Sequence, residues 1–500
     1  MSGGTAPGGP AGNGTGGPGG DAPDGPDAPD GPDGPAWGPP AVSGPVSGGA
    51  PVVVVGGGLA GIAAAVALGE AGHRVTLFES RPRLGGATCS FTRGDLTVDN
   101  GQHVFLRCCT AYRGLLERLG GAGLVHLQER FDVPVLTPWG RSGRLRRAAL
   151  PGPFHLLPAL ARYRLLGPAD RLRAMRASLA LRRLDPADPV MDRTDLGSWL
   201  AAHGQSDAAR RALWELFAMA ALNAAVEDVA LGPAAMVFRT ALFGRADAAD
   251  IGLPAVPLGE LHGAAARAAV ERLGGTVHLS SKVTAVGPGP AVTVNGGRIE
   301  ASAVIVATPH EQAAALLPEE AVPGARRWSG LDASPIVNVH VVYDRRVTEA
   351  PFAAVVGSPV QWVFDRSRVA GLERGQYLAV SVSAADRWID TPTALLRAVF
   401  EPALERIFPA ARRAEVVDFF VTRERRATFR QRPGSGALRP GAATRWPGVF
   451  LAGAWTDTGW PDTMEAAVRS GLCAARLAGH RLGGRAARPP RTSCHRETLT

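Results

Sequence analysis

Val52–Val55 is an unbroken β-branched run that stops at Gly56, Gly57 and Gly58, and Leu59 to Ala71 then supplies alanines and leucines without proline. Continuous apolar character over so few residues predicts a strand buried on both faces, and the stretch behind the glycines predicts a helix opening directly over them. Arg74–Phe78 predicts a second strand, ending at Glu79. The same alternation returns twice. Gly259–Gly274 reads as a helix, Thr276–Leu279 and Val283 as strand, and Ala303–Ala307 as a further buried strand; late in the chain a short strand closes at Gly453 and a helix begins near Thr463. Two other patterns fill the intervals. From Phe131 to about Gly252 the chain turns to helices rich in Leu, Ala and Arg, among them the apolar Leu213–Val226, which suits a core helix and the wall of a long apolar pocket alike. Ser334–Asp344, Val360–Arg366 and Gln376–Ala384 alternate apolar and polar residues at strand period, which predicts an antiparallel sheet, followed by a helix over Thr391–Phe408 and a strand over Val416–Val421.

The first unit carries a chemical signature. Gly56 permits a sharp strand-to-helix turn, Gly58 leaves the helix N-terminus at Leu59 and Ala60 open to a pyrophosphate, and Gly61 lets helix and strand pack closely. Glu79 lies eighteen positions after Gly61, where it can accept hydrogen bonds from an adenosine ribose. Ser80, Arg81, Pro82, Arg83, Leu84, Gly85 and Gly86 follow directly. A second Gly-Gly backed by arginines offers more amides and positive charge to a diphosphate, which a plain nicotinamide domain does not need, so the expected cofactor is FAD. The expected fold class is α/β, a Rossmann-like FAD-binding domain interleaved with an α+β substrate-binding domain. Its parts are a Gly/Pro/Asp-rich disordered tail over 1–50, cofactor segments over 51–130, 253–320 and 431–480, a helical substrate- or membrane-facing region over 131–252, the substrate-domain sheet over 321–430, and a basic mobile tail over 481–500.

From the acid into Gly-Gly the sequence resembles the FAD-containing amine oxidase and carotenoid desaturase superfamily. It departs at Ala87, where the family's signature continues with Arg, and at Ala454, where many relatives have an acid that holds the ribityl chain, a role that can pass to Asp457. The resemblance implies that Gly101, Gln102 and His103 neighbour the flavin, that the backbone at Val283 meets the adenine, and that Gly453, Thr463 and Met464 bring a helix N-terminus to the flavin O2 side. DNGQH at Asp99, LNA at Leu222, SPIVNVH at Ser334, QWVFDR at Gln361 and GAWTDTGWPDTMEAAVRSG at Gly453 together look like the hydroxysqualene dehydroxylases. That family implies replacement of the hydroxyl of a C30 isoprenoid, hydroxysqualene, by hydrogen. Ionisation of an allylic alcohol leaves a delocalised cation that takes hydride from flavin N5 while an apolar pocket excludes water, and an acid is needed to release hydroxide as water. His103 and Asp457 are the candidate catalytic residues, with Asp462 and Glu465 behind them; the alternative for each is cofactor positioning or helix capping.

Composition changes this picture at the edges. The first fifty residues hold Gly, Pro, Ala and five Asp with no Lys or Arg, too little apolar area to fold, and they lack the charged and apolar regions of a signal peptide. The whole chain is nonetheless +9, so its body is basic and suits an anionic surface, lipid headgroups or nucleic acid. The substrate, which has no solubility in water, favours a bilayer or the upstream synthase as partner and argues against nucleic acid, with the protein cytoplasmic or peripheral on the inner membrane face. Phe154, Leu156, Leu157, Leu160, Leu165 and Leu166 framed by arginines read as an interfacial helix or an ordinary amphipathic one. Nearly all the positive charge is Arg, which genomic base composition also explains. Five cysteines without metal spacing suggest buried or idle thiols in a reducing compartment, and no metal site. Two further readings stay open: a polyene desaturase running the flavin in the opposite direction, and a non-catalytic prenyl carrier. An external electron donor is required for the dehydroxylase and has no visible fingerprint.

Overall fold

The computed structural model describes residues 49–483; nearly all of the two expected tails, and Cys494, lie outside the described residues. Its first layer is a five-stranded parallel sheet in the order Thr276–His278, Val75–Phe78, Val52–Val55, Ala303–Val306, Val449–Leu451. Val52–Val55 takes the central place because all four side chains are apolar and both faces are covered. The helix Leu59–Glu70 returns along one face and packs on the C-terminal helix Met464–Leu482. Small residues set that closeness: a Cβ on Gly471 would lie 2.1 Å from the Ala60 carbonyl oxygen. Three separated pieces of chain therefore build one domain, and its parallel strands all end at the same edge.

The second layer is a seven-stranded mixed sheet, in the order Val416–Thr428, Ser334–Tyr343, Gln376–Val382, Trp362–Asp365, Phe352–Val355, Asp132–Leu136, Ser142–Arg146. Period-two alternation sorts its side chains. Val337, Val339 and Val341 face the helix Thr393–Ile407, while Asn338 and His340 on the same strand point to the opposite face. Phe352 and Phe364 on that opposite face pack into a large helical core with Trp214, Phe238 and Leu222.

Three expectations are corrected here. The region 131–252 does not begin with helices: Asp132–Leu136 and Ser142–Arg146 form a hairpin that extends the substrate sheet through parallel pairing with Phe352–Val355. Phe154–Leu166 is also no continuous interfacial helix. It breaks into two short turns, and Leu160 and Leu166 are buried in the helical core. The exposed large apolar side chains of the region 131–252 are instead Trp139, Leu150, Phe154 and Val190, together with Leu172 and Leu179 on the helix Pro168–Arg182. Cys89, Cys108 and Cys109 are free thiols, whereas Cys473 is disulfide-bonded and so not an idle thiol. Among the described residues no helix is long and apolar enough to cross a membrane.

Candidate cofactor and substrate site

At the sheet's C-terminal edge Gly56 turns with φ +106°, and a Cβ there would lie 2.6 Å from the Ala307 carbonyl oxygen. Gly61 is equally constrained, with its added Cβ 1.9 Å from the Gly56 oxygen. Gly58 is different: a Cβ would meet only Gly86 Cα, at 3.8 Å. Packing therefore demands glycine at 56 and 61, while the bare position at 58, where no side chain caps the helix, is a cradle for an anion. The loop at Gly85 and Gly86 folds over it. The Gly85 N–H donates to the Gly57 carbonyl at 2.9 Å, both glycines have positive φ, and a Cβ on Gly86 would come within 2.8 Å of Gly58 Cα.

Glu79 is buried at the end of its strand, with Oε2 accepting from the Gly57 N–H at 2.6 Å and Oε1 from the Arg81 N–H at 2.8 Å. Ser80 donates its hydroxyl to the same carboxylate. A carboxylate has about four acceptor directions, so capacity remains for a ribose hydroxyl. Among the described residues, two buried polar atoms along this edge have no protein partner: Arg83 Nη2 and Thr308 Oγ1. Arg83 donates its other amino group to the Gly86 carbonyl, and Thr308 lies beside Gly56. Donors of this kind, with a glycine cradle and a ribose acid, are what an adenine dinucleotide fits. Arg83 is one of the arginines that the sequence sets beside the second Gly-Gly, whereas Thr308 was missed because nothing in a lone Thr marks an unsatisfied atom. Val283 begins a small antiparallel sheet next to Ser281, whose N–H donates to the Glu79 carbonyl, placing it on the ribose side.

Gly101, Gln102 and His103 follow the hairpin strand Leu96–Asp99, where the cofactor domain meets the inner face of the substrate sheet. That seam is polar and buried. Asp99 Oδ2 meets Arg366 Nη2 at 2.7 Å, joining DNGQH to QWVFDR. The Asn100 carbonyl accepts from Asn338 Nδ2 and from the Thr422 hydroxyl, each at 3.1 Å. Asn100 Nδ2 donates to Glu424 Oε1 at 2.8 Å and to the Ala87 carbonyl at 2.9 Å. Burial raises the proton affinity of Glu424, against the opposing pull of Asn100, Arg81 and Arg83. Glu424 escaped sequence reading because it stands in the run Arg423–Arg426, which looks like a solvated edge. His103 Nδ1 lies 3.2 Å from the Gly101 carbonyl. As the donor in that bond it leaves Nε2 an acceptor, and burial holds its pKa below the ordinary value.

A second seam lies four residues away along Ser334–Tyr343, about 13 Å at strand rise. Asn223, in a left-handed conformation at the end of the helix Glu215–Leu222, donates to the Ser334 carbonyl at 3.0 Å and accepts the Ala384 N–H at 2.7 Å. Ser334 returns its hydroxyl to the Asn223 carbonyl at 2.8 Å. Gln431 bonds both the Leu222 carbonyl and the Asp462 N–H. Asp462 accepts the Phe429 N–H at 2.8 Å, and burial pushes its pKa up to about 6.

The remaining candidates divide. Gly453 (φ 140°) donates its N–H to Ser470 Oγ, and Thr463 caps the C-terminal helix by accepting from the Ala466 N–H, with Met464 as its first residue. Asp457 occupies a turn, accepting from the Gly459 N–H, and the neighbouring carbonyls of Ala454 and Thr456 are held by Arg439. Glu465 is fully engaged elsewhere, accepting the Ala111 and Tyr112 amides at the start of the helix Thr110–Arg118 and pairing with Arg469. It is a helix cap.

Residues 59–478 match the family model of flavin containing amine oxidoreductase. A hydroxysqualene dehydroxylase of Sinorhizobium fredii is 31% identical over 448 residues, covering 85% of this chain and 98% of the relative. One from Rhodopseudomonas palustris is 30% identical over 85% and 97%. A zeta-carotene desaturase of Synechocystis is 26% identical over 85% and 96%. Among solved structures, cyclohexylamine oxidase from Brevibacterium oxydans superposes with a TM-score of 0.65 at 19% identity, over 87% of this chain and 99% of that one. The fold is thus the amine oxidase fold, the cofactor is FAD, and the chain belongs to the flavin-containing amine oxidoreductase family.

Proposed function

We propose that this protein is a hydroxysqualene dehydroxylase, reducing hydroxysqualene to squalene. The observation that carries this reading is the similarity to two relatives of that name across nearly their whole lengths, on a chain whose DNGQH, QWVFDR, SPIVNVH and LNA words are joined by buried polar contacts. Bound FAD in its reduced form supplies the hydride. The chain supplies the rest. Gly58, Gly86, Arg83 and Glu79 hold the dinucleotide, and the aromatic and leucine-rich helical core excludes water from an ionising allylic alcohol. His103, its pKa held below the ordinary value by burial, orients the flavin-side turn and offers Nε2 as an acceptor. Asp457 remains a candidate for the ribityl contact. The proton that converts hydroxide into water is assigned to Asp462, which keeps it nearer to neutrality than an ordinary carboxylate does.

An anionic bilayer is the proposed source of substrate. Trp139, Leu150, Phe154, Leu172 and Leu179 are exposed, and Arg162, Arg164, Arg176, Arg182 and Arg183 between and beside them are exposed cations. The second reading, a polyene desaturase, is favoured by the carotene desaturase similarity. An anaerobic single turnover separates them. Reoxidation of the photoreduced flavin by hydroxysqualene, with stoichiometric squalene extracted, is the expected result. A flavin that stays reduced while intact hydroxysqualene is recovered refutes the dehydroxylase reading.

A further inference from the structure

Asn338 lies in the strand Ser334–Tyr343 with 0% exposure, and it is bonded on one side only. Its Nδ2 donates to the Asn100 carbonyl at 3.1 Å, and its Oδ1 has no partner among the described residues. The amide cannot be turned to cure this, because Oδ1 would then face the Asn100 carbonyl, acceptor against acceptor. Its neighbours on the same face are already satisfied. The Thr422 hydroxyl donates to Asn100 and lies 3.0 Å from His340 Nε2, and His340 Nδ1 lies 2.7 Å from the Tyr377 hydroxyl. A buried acceptor left alone amid a satisfied network points to a donor from a ligand.

Its position narrows that donor. Asn338 Nδ2 is 3.6 Å from where a Gly101 Cβ would stand, so the orphan oxygen sits where the flavin-side turn meets the substrate sheet. Hydride transfer requires flavin N5 to face the substrate, and the helical core assigned above to the substrate side packs on this same face of the sheet through Phe352 and Phe364. N5 of oxidised flavin bears a lone pair; N5 of reduced flavin bears a hydrogen.

We infer that Asn338 Oδ1 accepts a hydrogen bond from N5–H of the reduced flavin, and so sets the redox potential of the cofactor. The contact exists only in the reduced state, so it favours reduction and raises the midpoint potential. Asn338 is a tuning residue and exchanges no proton. The inference rests on FAD alone, and stands or falls independently of which isoprenoid is the substrate.

The test is dye-equilibrated potentiometry of the FAD-loaded protein and of Asn338→Ala and Asn338→Leu. Loss of the bond makes reduction about tenfold less favourable, which for a two-electron couple lowers the potential by about 30 mV. Thr422→Val removes the other donor to the Asn100 carbonyl but keeps Oδ1, and its potential stays at the wild-type value. An unchanged potential in the Asn338 variants overturns the inference. So does an equal fall in Thr422→Val, which assigns the effect to the Asn100 turn. Weaker FAD binding at constant potential also overturns it, since that is the signature of N3–H, present in both redox states. If the variants fail to fold, wild-type protein carrying FAD labelled with 15N at N5 decides: a slowly exchanging N5–H after reduction supports the bond, and solvent-like exchange refutes it.

Discussion

Replacing Arg366 by Leu tests whether the seam between the two domains is built on charge. The Arg366 and Asp99 side chains are 9% and 4% exposed and meet at 2.7 Å. Removing one partner of such a pair leaves a buried charge uncompensated and costs about 3–5 kcal/mol. Asp99 Oδ1 keeps two other bonds, from the Ser90 hydroxyl at 2.6 Å and the Leu258 N–H at 2.9 Å, so the lower end applies, about 3 kcal/mol. At roughly 2 °C per kcal/mol for a large chain, the melting temperature of Arg366→Leu falls by about 6 °C. The double variant Asp99→Asn with Arg366→Leu removes the stranded charge and recovers most of that loss, because the amide oxygen still accepts from Leu258. Differential scanning fluorimetry of the four proteins, FAD-loaded, completes the cycle. A fall of under about 1 °C in the single variant, or a double variant no better than the single, would show that this pair does not hold the seam.

Gly58→Ala and Gly61→Ala separate cradle from packing. Gly58→Ala has room for its methyl and is expected to fold while its flavin content, read at 450 nm per protein, drops at least tenfold; Gly61→Ala, driven into the Gly56 carbonyl, is expected to yield no folded protein. Burial raises the pKa of Asp462 to about 6 in the fold, from the 3.8 of an unperturbed aspartate. The native state then holds more protons than the unfolded one between those values, so stability falls as pH rises through that window and the full penalty, at most about 3 kcal/mol, is present above it. Asp462→Asn should therefore stabilise the protein at pH 7.5, leave it unchanged near pH 3.5, and lower the dehydroxylation rate; equal melting temperatures at both pH values would contradict this assignment. Replacing Phe154, Leu172 and Leu179 with Ser should reduce sedimentation with anionic vesicles at least tenfold without lowering the melting temperature, whereas Leu160→Ser should unfold the helical core rather than release the membrane.

Much of the fold was legible along the chain because local pattern and global structure agree there. Val52–Val55 is apolar on both faces in sequence and in space, and the Gly56, Gly58, Gly61 and Glu79 set announces its ligand through backbone rules that need no neighbours. The alternation of Ser334–Asp344 likewise named a strand with two unlike faces. Misreadings came where apolar content is consistent with several environments. Leu160 beside arginines resembles a membrane face, yet tertiary packing buries it, and the hairpin Asp132–Arg146 is recruited to a sheet whose other strands, from Ser334 onward, lie far downstream.

The sequence by itself determined the cofactor, the domain that binds it and the alternation of its segments, since turn glycines, β-branched runs and a terminal acid act over a few residues. Which polar residues form the site was decided only by tertiary structure. Asn338, Glu424 and Asp462 are ordinary letters until two domains close over them, and it is burial, a property of the closed fold, that leaves one oxygen without a partner and raises the proton affinity of the other two.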